Sequence, residues 1–396
     1  MKTIHSYSFK NKRALIRVDF NVPLNKDHKI TDDTRIKAAI PTIKHILNEG
    51  GSVVLMSHLG RPKNGPEEKY SLNHLVKHLG GLLNSEVIFE SDCIGENAFK
   101  TTSNLSAGKV VLLENLRFYS EENSGDLEFA KSLAKHGDVY LNEAFGTAHR
   151  AHASTAVIAQ FFPNDKLFGF LLENEIENID KVLKRPEHPT TAIVGGAKVS
   201  SKITIIEQLL NSVDHLIIGG GMAYTFVKSQ GGEVGDSLVE NDYLEMANNV
   251  LNIAKEKNVQ IHLPIDTVVA DKFSDDARVK TCLTNEIEKG WMGLDIGEKS
   301  IQKFNEVIIS SKTILWNGPM GVFEMKAFQN GTISTAKAIA EATRKGAFSL
   351  IGGGDSVSAI NKFNLADQVS YISTGGGAML EYLEGKELPG IAAIKN

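Results

Sequence analysis

Basic and imidazole side chains gather in AFGTAHRAHAST (144–155), where His149, Arg150 and His152 stand among small, mostly uncharged residues. The trio could be metal ligands, a general base or a receptor for an anion. His149 and His152 could share a helical face, as a metal pair requires, yet no nearby Cys or Asp completes a ligand set and the neighbouring acid is Glu143. A structural, hydrogen-bonded role for His152 stays open beside these. Arg61, Arg117 and Arg150 all fall at or just past apolar runs of the first half, together with Asp19, Asn21 and His58, and Arg35 follows shortly after the first run. Single arginines are ordinarily solvated surface charges. Their shared placement points instead to guanidinium forks that capture phosphate or carboxylate.

The second half carries different chemistry. Its apolar runs end in glycine: Gly195-Gly196, Gly219 to Gly221, Gly352 to Gly354 and Gly375 to Gly377. One glycine pair is usually only a tight turn. Repetition at one topological place suggests backbone amides that approach a polyphosphate closely. GGAKVSSK (195–202) is expected to send Lys198 and Lys202 from one helix start, one turn apart, toward those phosphates, although an ordinary solvated helix start would look the same. Asp355 is a candidate Mg²⁺ ligand, because magnesium often takes one carboxylate plus phosphates and water. Dinucleotide binding loses its main support: counting from Gly219, Gly352 and Gly375, the sixth positions hold Tyr224, Val357 and Leu380 rather than glycine. No P-loop pattern and no protein-kinase H-R-D and D-F-G pair occurs.

These side chains need elements to position them. RALIRVDFN (13–21), SVVLMSHLG (52–60), VVLLENLRF (110–118) and DVYLNEAFG (138–146) are short β-branched or apolar runs with polar tips, followed by helical patterns. TAIVGGA (191–197), HLIIGGG (215–221), KTILWNGP (312–319), FSLIGGG (348–354) and VSYISTGGG (369–377) repeat the device. It is the signature of strand–loop–helix units and parallel sheets, whose ligands sit beyond the carboxyl ends of the strands. Between the halves, apolar residues at 171, 172, 176, 179, 182 and 183 keep a helical period until Pro186. The fold expected is α/β, with two Rossmann-like parallel-sheet domains joined by a hinge and a crossover helix. Residues 1–170 form the first and 171–377 the second, with the tail 378–396 folding back on the first. Of 396 residues 42% are hydrophobic, enough for two or three cores. A net charge of -5 without long basic runs disfavours nucleic acid and anionic membranes. The start MKTIHSYSFK lacks a secretion core and no segment is long and apolar enough to span a bilayer, so a cytoplasmic location is expected. Cys93 and Cys282 are far apart and fit reduced, packed thiols.

RVDFNVP (17–23), DDTRI (32–36), SHLGRP (57–62), LLENLRF (112–118), NEAFGTAHRAHAST (142–155), GGAKVSSKI (195–203), LPIDTVVADKF (263–273), WNGPMGVFE (316–324), GGGDS (352–356) and STGGGAMLEYLEG (373–385) resemble the signature segments of the phosphoglycerate kinase family, in that family's order and over nearly the whole chain. The resemblance implies a hinge-bending monomer that moves a phosphoryl group between 1,3-bisphosphoglycerate and Mg-ADP, giving 3-phosphoglycerate and Mg-ATP. It implies that Asp19, Asn21, Arg35, His58, Arg61, Arg117 and Arg150 hold the glycerate substrate. Nucleotide contacts would come from Lys198, Lys202, Asn317, Pro319, Glu324, Gly352, Gly353, Gly354, Asp355 and Ser356, with Asp355 toward the metal. Arg35, Lys198 and the amides of Gly375 and Gly376 would surround the migrating phosphoryl group.

The family usually has Asp at Glu143, Lys at Asn174 and Pro at Glu298; none of these departures removes an implied anion contact. A carboxylate acceptor is already an anionic nucleophile at neutral pH, so the reaction needs no general base, and Arg150 becomes an anion fork with His149 setting it. Two rivals remain at this stage. A two-lobed anion- or nucleotide-binding protein without catalysis would explain the arginines but leave Lys198, Lys202 and the glycine clusters unused. A nicotinamide dehydrogenase lacks its fingerprint.

Overall fold

The computed structural model describes residues 3–63 and 65–396. The chain divides into two compact units, Met1–Ile176 with Lys386–Asn396, and Glu177–Gly385.

In unit 1 the apolar runs form β1 (Arg13–Arg17), β2 (Ser52–Met56), β3 (Val87–Glu90), β4 (Val110–Leu113), β5 (Val139–Asn142) and β6 (Lys166–Phe168). They pair in the order β3-β4-β2-β1-β5-β6, all parallel. β2, β4 and β5 are buried along their whole length, as strands covered by helices on both faces must be. The helix Thr34–Asn48 contributes Ile36, Ala39, Ile43 and Ile46 to the core that also holds Ile16, Val53 and Leu55. Neighbouring β1 and β5 pair from Ala14 opposite Val139 to Arg17 opposite Asn142, while β1 continues to β2 on the other side. The strand order therefore reverses between β1 and β5, and open α/β sheets bind ligands at such a reversal. The tail's helix Pro389–Lys395 packs here: Gly390 N donates to Ala148 O at 2.8 Å and Asn142 Nδ2 to Gly390 O at 3.1 Å.

Unit 2 contains β7 (Thr190–Val194), β8 (His215–Ile218), β9 (Glu233–Val234), β10 (Gln260–His262), β11 (Asp266–Ala270), β12 (Val279–Leu283), β13 (Glu286–Ile287), β14 (Met292–Ile296), β15 (Thr313–Asn317), β16 (Phe348–Ile351) and β17 (Tyr371–Ile372). Six of them make a second parallel sheet, β10-β8-β7-β15-β16-β17, which reverses between β7 and β15. An antiparallel sheet β12-β11-β14 and the small pair β13-β9 complete the unit.

The helix Phe170–Leu183 buries Leu172, Ile179 and Val182 and ends short of Pro186, whose ring disfavours helical geometry just before it. GGAKVSSK differs from expectation. The helix after β7 begins only at Ile203, so Lys198 lies in the preceding loop and Lys202 occupies the N-cap. The delay has a local cause. Gly196 sits at φ +105 and donates its amide to Pro319 O at 3.1 Å, and a separate turn, Lys202 N to Val199 O at 2.8 Å, precedes the helix.

Candidate active site

Unit 1 builds its site where β1 and β5 end. Arg17 closes β1 and is wholly buried, which costs free energy unless every donor finds a partner. Its Nε donates to Ser154 Oγ at 2.8 Å, its Nη1 to Val18 O at 2.6 Å, and its Nη2 lies 3.2 Å from His58 Nδ1. Buried Glu122 supplies the counter-charge at 3.9 Å and accepts from Ser154 N and Oγ at 3.0 and 2.6 Å. Two residues on, Asp19 Oδ2 takes Arg35 Nη1 at 2.8 Å, and Asp19 Oδ1 stands 3.9 Å from His58 Nδ1. Asn21 Oδ1 accepts Gly60 N at 2.8 Å, while Gly60 O accepts Arg117 Nη1 at 2.8 Å. Gly60 is obligatory here: its φ is +64, and a Cβ would stand 2.3 Å from the Tyr70 ring. Arg117 is further oriented by Asn115, whose Oδ1 accepts the Arg117 amide at 3.0 Å. Arg150 Nε meets His149 Nε2 at 3.2 Å, and Arg61 is exposed.

The electrostatics show convergence. Burial, then Arg17, Arg117, Arg35 and Arg150, push the His58 imidazole well below its ordinary range. Burial, with Arg17 and Arg150 next, lowers the Arg117 guanidinium to about 10, and burial with the same cations lowers His152 to about 4. Both imidazoles are neutral at pH 7. Among the described residues no carboxylate pairs with Arg61, Arg117 or Arg150, so the cluster carries positive charge that an incoming anion can match.

Unit 2 builds its site where β7 and β15 end. Lys202 Nζ donates to Asn317 Oδ1 and, at 3.0 Å, to Asn317 O. Asn317 Nδ2 in turn donates to Gly352 O at 2.8 Å, and Gly318 N to Ser356 Oγ at 2.5 Å. Burial lowers the Lys202 ammonium to about 8, partly offset by the facing Asp355 carboxylate. Gly354 and exposed Asp355 open the helix Gly354–Lys362, and nothing stands within 4 Å of where a Gly354 Cβ would lie. The glycines divide into two kinds. Gly219 and Gly352 are demanded by packing, since a Cβ would fall 2.3 Å from Met320 Sδ and 2.0 Å from Met379 Sδ respectively. Gly353, at φ +88, and Gly376, at φ +50, are demanded by backbone conformation. Pro319 O receives the Gly196 amide, and Gly375 N is held by Ser373 Oγ at 3.1 Å.

The geometry thus joins Asp19, Asn21, Arg35, His58 and Arg117 in one unit, with Arg150 acting on them through charge, and Lys202, Asn317, Gly352, Asp355 and Ser356 in the other. Lys198 and Glu324 are exposed on separate loops. Sequence reasoning missed Arg17 and Glu122. Arg17 is visible as a charge inside the apolar run ALIRV, where a solvent-facing position is improbable; Glu122 gives no local signal.

A family model described as phosphoglycerate kinase matches residues 4–386. The chain belongs to the phosphoglycerate kinase family. A phosphoglycerate kinase of Porphyromonas gingivalis is 52% identical over 99% of this chain and 100% of its own length. A cytosolic phosphoglycerate kinase of Arabidopsis thaliana is 53% identical over 99% of this chain and 97% of its own. The solved structure of the Coxiella burnetii phosphoglycerate kinase superposes with a TM-score of 0.92 at 41% identity, covering 100% of this chain and 98% of that one. Phosphoglycerate kinase activity is phosphoryl transfer to a carboxyl group, and the reaction belongs to glycolysis.

Proposed function

We propose that unit 1 binds 3-phosphoglycerate or 1,3-bisphosphoglycerate and unit 2 binds the magnesium nucleotide. What supports this division is one observation: four arginines converge on a neutral, buried His58 in unit 1, whereas unit 2 offers one half-buried lysine beside open glycine amides. A dense array of forks suits a small trianion. Backbone amides and an ammonium suit a polyphosphate. In this reading Asp19, Asn21, Arg35, His58, Arg61, Arg117 and Arg150 face the glycerate, and Lys198, Lys202, Asn317, Pro319, Glu324 and Gly352 to Ser356 face the nucleotide.

Among the described residues no group of three or more His, Cys, Asp or Glu could hold a metal by itself. A lone exposed carboxylate at Asp355, beside open space at Gly354, fits magnesium that arrives on the nucleotide and keeps phosphate and water ligands. Magnesium would neutralise phosphate charge. The acceptor carboxylate attacks without a general base, so the chain's own work is positioning and stabilising charge. Arg35, Lys198 and the Gly375 and Gly376 amides surround the moving group. Transfer requires the two bound substrates to meet within about 3–3.5 Å, and the bending elements are the helix near 171–185 and Ser373 to Gly377. With unit 1, residues 1–176 and the tail from 386, as the glycerate lobe and unit 2, residues 177–385, as the nucleotide lobe, one chain holds a complete set, so a monomer suffices. The cytoplasm is the proposed location.

Calorimetric titration of each substrate into Arg150→Ala tests the division. The variant should lose 3-phosphoglycerate affinity, keep Mg-ADP affinity within about twofold, and be rescued poorly by Arg150→Lys, because a point charge lacks the bidentate fork. Equal loss of both affinities contradicts it.

A further inference from the structure

The buried carboxylate of Glu143 is not used by any step above. It sits just past β5, on the segment that leads to His149 and Arg150, and its side chain is wholly buried. Its Oε1 accepts from Thr42 Oγ1 and, at 3.1 Å, from Leu171 N; its Oε2 accepts from Leu172 N at 3.3 Å. Thr42 Oγ1 in turn accepts Phe170 N at 2.9 Å. The first amides of a helix have no partner within it. Here Phe170, Leu171 and Leu172, which open the helix Phe170–Leu183, are all satisfied by Thr42 and Glu143 from the body of unit 1. The next amide, Glu173 N, reaches Gly169 O at 3.0 Å. Burial raises this carboxyl to about 7, against the lowering pull of the Thr42 hydroxyl and the Leu171 and Leu172 amides, so near neutral pH it is part protonated and holds the amides chiefly through its acceptor oxygens; its ionised form also opposes the helix dipole favourably.

Two further contacts make the anchor stiff. The Glu143 amide donates to Arg17 O at 2.9 Å, tying the residue to the strand that ends in the glycerate site, and Gly169 N donates to Asn142 O at 3.0 Å. A Cβ on Gly169 would fall 2.0 Å from Glu143 Oε2, so the chain is stripped to glycine where the carboxylate passes. Main chain from β1 and β5, a hydroxyl from the helix Thr34–Asn48 and the start of the linking helix meet on one side chain.

We propose that Glu143 is a positioning residue for phosphoryl transfer: its carboxylate fixes the first turn of the linking helix to the strand ends that carry Arg17 and Asp19. This helix is a covalent path from unit 1 to unit 2. A loosened first turn leaves each substrate site intact but blurs the direction in which the helix leaves unit 1, so the cost falls on turnover rather than on binding. The inference rests on the reading that transfer needs both half-sites brought together.

The test is steady-state kinetics of Glu143→Ala, Glu143→Gln and Glu143→Asp, with amide hydrogen exchange at Leu171 and Leu172. Glu143→Ala is expected to lower kcat roughly tenfold with both KM values within about twofold, and to speed exchange at those two amides before the strands of β5 respond. Glu143→Asp keeps an anion against the same amides and should restore most of kcat. If Glu143→Ala does not fold, Glu143→Gln, which keeps the shape but replaces one acceptor oxygen with an NH2 donor against the helix amides, takes its place with the same expected split, all variants being assayed above the parent carboxyl's titration near 7. A neutral variant with kcat within twofold of the parent, or a Glu143→Asp enzyme as slow as the neutral one, overturns the proposal. Turnover of the unaltered enzyme in the same assay tests the underlying reading separately.

Discussion

Arg35 Nη1 donates to Asp19 Oδ2 at 2.8 Å, and the same nitrogen lies 3.4 Å from Asn21 O. A guanidinium that is partly exposed yet held by a carboxylate on the neighbouring loop is pre-aimed, so little entropy is lost when it meets an incoming charge.

Arg35→Ala should therefore reduce kcat heavily, on the order of 10³-fold by analogy with arginine fingers, with much smaller changes in KM. Asp19→Asn weakens only the aiming and should cost less. Stopped-flow or steady-state assays decide the matter: a variant at position 35 that keeps most of its kcat removes that residue from the transition state.

Lys202 gives a pH prediction. Burial lowers its ammonium to about 8, so in the free protein the charge is lost as pH rises through about 8. Nucleotide phosphates favour the charged form. Mg-ADP affinity should then decline above about pH 8 in the parent, while Lys202→Met should bind more weakly and show no such decline. Titration calorimetry across that range checks it, and parallel curves for the two proteins would count against the lysine.

His136, remote from the residues assigned to either substrate, gives a stability prediction. Its ring is buried, lies 2.8 Å from Thr102 Oγ1, donates from Nε2 to Cys93 O at 2.9 Å and stacks on Phe99 at 4.7 Å. Burial holds it to about 4, against 6.5 in an unfolded chain. Between those values the unfolded state binds the extra proton, so stability falls as the pH drops from about 6.5 toward 4. The whole effect is on the order of 3 kcal/mol. Denaturant titrations of His136→Gln should show a shallower acid loss than the parent; the same slope in both places the acid sensitivity elsewhere.

Gly376 combines φ +50 with ψ -117 and has nothing within 4 Å of a hypothetical Cβ. A side chain there is resisted by backbone strain, about 1–3 kcal/mol, and not by crowding. Gly376→Val should keep both binary affinities and lose turnover. Full activity in that variant would remove the Ser373 to Gly377 stretch from the bending elements.

Much of this was legible in the chain because strands buried on both faces leave continuous apolar runs. β1, β2, β4, β5, β7, β8, β15 and β16 carry that mark, and their tips hold most of the candidate residues. The short β6 has only three residues, and β12 alternates exposed and half-buried positions, so neither leaves such a run. The spacing of four between Lys198 and Lys202 suits one helical turn, but Gly196 and the Val199 to Lys202 turn consume that spacing before the helix starts. Glu122 could not have been found locally, since its partners Arg17 and Ser154 are distant in sequence and meet only through the sheet order.

Phosphoryl transfer between the two half-sites is tested most directly by a coupled assay of the purified protein with ATP, 3-phosphoglycerate and magnesium, reading acyl-phosphate formation through a 1,3-bisphosphoglycerate-consuming dehydrogenase. Turnover is expected only with all three components present, with little ATP hydrolysis when 3-phosphoglycerate is omitted. Binding of both ligands without any acyl phosphate would contradict it and would leave a two-lobed binding protein in its place.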